Sequence, residues 1–62
     1  MWIKCHLYNG DEIVIQTQNI SCVFPNQLEY DKGKTCVQFV GDIENYVVVK
    51  ESVDEIGRMI TE

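Results

Sequence analysis

Few side chains in this 62-residue sequence are able to do chemistry: three cysteines (Cys5, Cys22 and Cys36), a single histidine (His6) and ten carboxylates. Cys5-His6 together with Cys22 and Cys36 supplies enough soft ligands for a tetrahedral zinc site. No two of them have the Cys-x2-Cys spacing of such sites, however, and adjacent strand residues such as Cys5 and His6 point to opposite faces. The same divergence keeps a Cys5 thiolate from using His6 as its base. Small buried thiols are the reading that fits. The acidic residues Asp42, Glu44, Glu51, Asp54 and Glu55 do not follow a calcium-loop spacing, and carboxylates at turns and helix starts ordinarily cap or stay solvated. Gly10, Gly33 and Gly41 are isolated turn glycines and make no phosphate-binding loop. No catalytic residue, metal ligand or cofactor is assigned, and an enzyme is not expected.

Binding is better supported. Trp2, Lys4 and His6 alternate along one strand and share a face, with Tyr8 at the following turn. Aromatic residues mixed with cations on an exposed sheet face are enriched at interfaces. These four residues are the expected binding surface, for a protein partner or a second copy. Nucleic acid is not expected, because ten acidic residues against five basic give a net charge of −5 and leave no basic patch to displace counterions. An alternative reading assigns Lys4, His6, Lys32 and Lys34 to an anionic or nucleotide-like small molecule held between subunits.

The elements that position these residues are legible from pattern. The stretch WIKCHLYNGDEIVIQ has strand chemistry on both sides of Asn9-Gly10. A two-residue loop would mix polar and apolar residues on each face. A three-residue loop Tyr8-Asn9-Gly10, with Gly10 left-handed, pairs Ile3 with Ile15, Cys5 with Ile13 and Leu7 with Asp11. Ile3, Cys5, Leu7, Ile13 and Ile15 then share one face, and Trp2, Lys4, His6, Glu12, Val14 and Gln16 the other. After a corner at Gln18-Asn19, the alternation from Ile20 to Phe24 places Ile20, Cys22 and Phe24 on one face. Pro25-Asn26 ends that strand. Residues 28–30 are a candidate strand leading through a turn with left-handed Gly33 into a strand over 35–40, and a turn at Gly41-Asp42 leads into a strand over 46–49. Lys50-Glu51 is the bend into a helix capped by Ser52-Val53-Asp54-Glu55, a capping box, whose stripe Val53, Ile56, Met59, Ile60 must pack on the sheet.

The expected architecture is therefore α+β: one domain over residues 1–62, with a small antiparallel meander of four or five strands and one C-terminal helix packed on it. A chain of this size buries only about 60% of its unfolded surface, so its core is thin. Disulfides are not expected from three widely spaced cysteines with no signal peptide before them, which reads as a reduced, cytoplasmic protein. No apolar run approaches the roughly 20 residues of a membrane span, so membrane insertion is not expected. Self-association into a homo-oligomer is the remaining source of stability.

The order Leu7, Asn9-Gly10, Glu12-Ile13, Ile20 and then Val49-Lys50-Glu51-Ser52-Val53-Asp54-Glu55-Ile56 resembles the small flagellar FlbD family, also called SwrD, associated with swarming motility. The resemblance lies mainly in LYNGDEI and VKESVDEI and covers about half the chain. It implies a non-enzymatic cytoplasmic accessory protein with no catalytic residues to transfer. The stretch PNQLEYDKGK, the GDIEN turn and the three cysteines depart from that family. A phage or mobile-element protein that binds a host protein or a small ligand is the alternative.

Overall fold

A computed structural model describes residues 1–27 and 33–61. The candidate strand at 28–30 and Lys32 lie outside the described residues. Five strands and one helix follow in order: β1 (Trp2–His6), β2 (Glu12–Gln16), a 3-10 turn at Thr17–Asn19, β3 (Ile20–Pro25), β4 (Thr35–Phe39), β5 (Tyr46–Val49) and α1 (Val53–Thr61). The strands divide into two antiparallel sheets, a β1-β2 hairpin and a three-stranded β3-β4-β5 sheet. The 3-10 turn turns the chain out of the hairpin and into β3, so the expected single meander is split at the Gln18-Asn19 corner.

The hairpin register is the one that segregates the two faces. Ile3 pairs with Ile15 and Cys5 with Ile13, the Leu7 amide donates to Asp11 O at 2.8 Å, and Gly10 sits at φ +96°. Ile3, Cys5 and Ile15 are buried, while Trp2, Lys4, Glu12 and Val14 face outward. A two-residue loop would have put polar side chains into the core, which is why the sequence selects the longer one.

β3 departs from simple alternation. Ile20 lies opposite Phe39 but Cys22 lies opposite Gln38, so Ser21 is an extra residue in a bulge. The insertion shifts the phase by one. Ile20 and Val23 pack against the core, whereas Cys22 and Phe24 turn to the outer face. The expectation that Ile20, Cys22 and Phe24 share a face is corrected by this bulge, and Cys22 is an exposed thiol, not a buried one.

The core lies where the two sheets and the helix meet: Ile3 and Cys5 from β1, Ile15 from β2, Val37 from β4, Val49 from β5 and Ile56 from α1. Gly33 does not supply a left-handed turn; the described glycines at positive φ are Gly10 and Gly41. Its constraint is space, because a Cβ there would overlap Val48 Cγ1 and come within 3.0 Å of Val49 O.

The capping box forms as expected, with the Glu55 amide donating to Ser52 Oγ at 3.1 Å and the Ser52 amide to Glu55 Oε1 at 3.4 Å. Asp54 and Glu55 lie in the first turn and Arg58 in the last, each favourable to the helix dipole. Gly57 interrupts this helix on its exposed side, and a Cβ there would meet nothing within 4 Å. Gly57→Ala is therefore expected to stabilise the fold by about 0.5–1 kcal/mol, read as a higher urea midpoint at unchanged slope. An unchanged or lower midpoint would mean that the helix is not limited by its backbone entropy. Among the described residues no helix is long and apolar enough to cross a membrane.

Candidate functional site

Two surfaces and one part-buried polar cluster hold the residues that could act. The first surface is the outer face of the hairpin. Trp2 is 63% exposed there, with Met1 and Val14 also exposed nearby. Lys4 Nζ lies 3.2 Å from Glu12 Oε2, so its charge is answered within the face. Tyr8 is exposed at the turn, whose shape is held by the Asp11 amide donating to Asn9 Oδ1 at 3.0 Å and by Asn9 Nδ2 donating to Asp11 Oδ2 at 3.1 Å. Trp2 and Lys4 thus share the expected surface with Tyr8 at its end.

His6, on the same face, also ties the hairpin to the rest of the fold. Its ring Nδ1 lies 2.7 Å from Glu51 Oε2, and its backbone amide donates to Glu51 Oε1 at 2.9 Å. The Lys50 amide donates to His6 O at 2.8 Å, and Thr35 Oγ1 donates to Glu51 O at 2.6 Å. One acidic side chain and its own carbonyl therefore join β1, the start of β4 and the strand-to-helix bend. The Glu51 side chain is only 13% exposed. Burial pushes its carboxyl upward, but the His6 ring, the His6 amide, its own amide and the charge on His6 outweigh that, and the net result lies below the usual value of 4.5. Burial, with the Glu51 charge adding to it, drives the neighbouring Cys5 thiol up to about 11. A thiol so disposed stays protonated at neutral pH, the opposite of an activated nucleophile.

Sequence reasoning missed this pairing. His6 and Glu51 lie 45 residues apart, and no local pattern links a strand histidine to a glutamate in a bend. The only available signal was that Glu51 sits beside the cap without belonging to the capping box.

Of the anionic-ligand residues that are described, Lys4, His6 and Lys34 lie apart within one chain. His6 lines a shallow groove with Gly10, Lys50, Glu51 and Glu55, while Lys34 lines a separate one with Pro25, Thr35, Ser52, Val53 and Asp54. Lys4 lines neither, and Lys32 is outside the described residues. Among the described residues no three Cys, His, Asp or Glu side chains cluster as a metal site would require.

The second surface was not foreseen. On the face of the three-stranded sheet turned away from the core, two cross-strand rows run side by side, Phe24-Cys36-Val48 and Cys22-Gln38-Tyr46, of which Cys36 and Val48 are buried, with Gly33 close against Val48. Phe24, Cys36 and Tyr46 line a cavity of about 240 Å³ whose rim carries Ile43, 80% exposed. Gln38 Nε2 donates to Ile43 O at 2.8 Å, and the Asn45 amide to Asp42 O at 2.9 Å, so the β4-β5 turn is fixed over the cavity. The bulge at Ser21 creates this face by turning Phe24 outward. A sequence-level signal existed in the apolar GDIEN turn residue Ile43, which has no core position to occupy.

No protein-family model matches the sequence, and neither the search of curated proteins nor that of solved structures finds a match.

Proposed function

We propose that the chain is a small non-enzymatic, cytoplasmic interaction module that self-associates and binds a protein partner, in the manner of a FlbD-like motility accessory protein. The observation that carries this reading is the number of large apolar side chains left in solvent by so small a fold. Trp2 and Val14 on the hairpin, and Phe24, Ile43 and Tyr46 on the other sheet, are exposed although each belongs to or adjoins an ordered strand. Such residues gathered on faces of a small domain mark contact surfaces. The part-buried polar cluster supports the same reading from the other side, since His6 and Glu51 are engaged in holding the fold and Cys5 is kept protonated. Partner binding is assigned to the outer hairpin face, with Trp2 as its anchor, Lys4 and Tyr8 beside it, and His6 fixing the strand beneath.

Trp2→Ala tests the partner half. Its side chain lies outside the core, so its removal is expected to change stability by less than about 0.5 kcal/mol. Affinity capture from the native host cell, run with the original chain and with the variant at equal loading, should show a protein retained by the first and lost by the second. Equal retention by both would reject the hairpin face as the partner site, and an unfolded variant would show that Trp2 supports the fold.

A further inference from the structure

We infer that β2 is an open sheet edge at which two copies of this chain join, strand against antiparallel strand, about an axis through Val14. The inference rests on the reading that the chain self-associates, and it names the backbone groups that do so. The Leu7 amide donates to Asp11 O and the Thr17 amide to Met1 O, which fixes the alternation of the hairpin ladder. Ile3, Cys5, Ile13 and Ile15 therefore use their amides and carbonyls within the hairpin, while those of the residues between them point away from it. On β1 the outward groups of His6 are met, its amide by Glu51 Oε1 and its carbonyl by the Lys50 amide. On β2 nothing equivalent exists among the described residues, because that strand bonds to β1 alone. The amides of Val14 and Gln16 and the carbonyls of Glu12 and Val14 thus form an unpaired strand edge, and Val14 is 54% exposed.

The edge of β3 is blunted instead. It carries Pro25, which has no amide hydrogen, and the bulge at Ser21, two features that keep a strand from accepting a neighbour. β2 carries neither. What fits β2 is an antiparallel strand, and the register points to a second copy, because a two-fold contact must be complementary to itself. Centring the pair on Val14 sets Val14 against Val14 and, on either side, Glu12 against Gln16. Each Val14 amide then donates to the other Val14 carbonyl, and each Gln16 amide to the Glu12 carbonyl of the other copy. Every carboxylate faces an amide, whereas centring the pair on Glu12 would oppose two carboxylates. The side chains are already disposed for this. Gln16 Oε1 accepts from the Met1 ammonium at 3.1 Å, which leaves Nε2 to donate, and Glu12 Oε2 lies 3.2 Å from Lys4 Nζ, which leaves Oε1 to accept. The two Lys4 residues stand three strand spacings apart, about 14 Å, beyond the screening length at physiological salt.

Two measurements on the full chain test the contact. The first is sedimentation equilibrium of the original chain and two variants at the edge. Gln16→Glu sets two carboxylates face to face at each end of the contact and should raise the dimer dissociation constant by about threefold or more, while Gln16→Lys sets a cation there and should lower it by a similar factor. The second needs no substitution: amide hydrogen exchange of the original chain at low and high concentration. The Val14 and Gln16 amides should exchange freely when dilute and slow as the dimer forms, whereas those of Ile13 and Ile15, already bonded within the hairpin, should be slow at both. A dimer in which the Val14 and Gln16 amides still exchange freely, or whose affinity moves the same way in both variants or in neither, would overturn this contact while leaving self-association standing. An original chain that stays monomeric throughout would overturn both.

Discussion

Ile56→Ala is expected to leave the chain largely unfolded at neutral pH. Ile56 is the helix's only fully buried residue, and it closes the core formed by Ile3, Cys5, Ile15, Val37 and Val49. Truncating a buried isoleucine to alanine costs about 2–5 kcal/mol, the larger values applying where the surroundings cannot collapse into the void. Collapse is restricted here, because the core that Ile56 completes is drawn from four strands in two separate sheets. A domain of this length seldom holds more than about 3–5 kcal/mol in total. The loss therefore consumes most of the stability. Loss of the helical and sheet signals in circular dichroism, with recovery in a kosmotropic salt such as sulfate, is the expected result. A variant that melts within a few degrees of the original would show that α1 is an accessory and not the lid of the core.

Glu51→Ala has the second largest expected effect, and it depends on pH. The Glu51 carboxylate accepts the His6 amide and contacts the His6 ring from a largely buried position. Hydrogen bonds to a charged group contribute about 1.5–3 kcal/mol, and the variant would leave the His6 amide without its acceptor. Because the folded-state pKa of Glu51 lies below its unfolded value of 4.5, its contribution is complete above that value. It is lost as the pH falls through the lower folded value, where both states bind the proton. Urea midpoints measured at neutral pH and again near pH 3 should thus show a wide gap between the original chain and Glu51→Ala that narrows in acid. A gap that stays constant with pH would mean that the carboxylate's charge is not what holds β1 to the bend.

These two residues mark where the sequence is readable and where it is not. Ile56 is legible because a helix imposes a period, and the capping box ahead of it sets the phase of the stripe. The hairpin is legible for the same kind of reason: only one loop length puts Ile3, Cys5, Ile13 and Ile15 on one side. β3 misleads because a bulge adds a residue without leaving a mark in the alternation, and Ser21 is unremarkable by type. That single insertion moves Cys22 and Phe24 from the core to the outer face, and with them the apolar cavity. The division into two sheets was hidden for a related reason, since the 3-10 turn at Thr17–Asn19 breaks pairing without a glycine or proline to announce it. His6 was legible as a residue of the outer hairpin face but not as the partner of Glu51, because contacts between distant segments leave no periodicity.

Gly33 illustrates a subtler failure. Its place after Asp31-Lys32 suggests a glycine needed for turn conformation, yet its role is to let the chain pass close to Val48 and Val49. Both roles exclude a side chain, and sequence alone does not separate them. Glycine at a close approach and glycine at a turn differ only in what lies opposite.

The exposed side chains of Trp2, Val14, Phe24, Ile43 and Tyr46 are the basis of the proposal that other molecules, a second copy among them, cover this fold. Sedimentation equilibrium of the unmodified chain over a wide range of concentration tests that claim most directly. A reversible rise from the 7.2 kDa monomer toward twice that mass with increasing concentration is the result expected. A single monomeric species at every concentration, with a melting temperature that does not change on dilution, would contradict it.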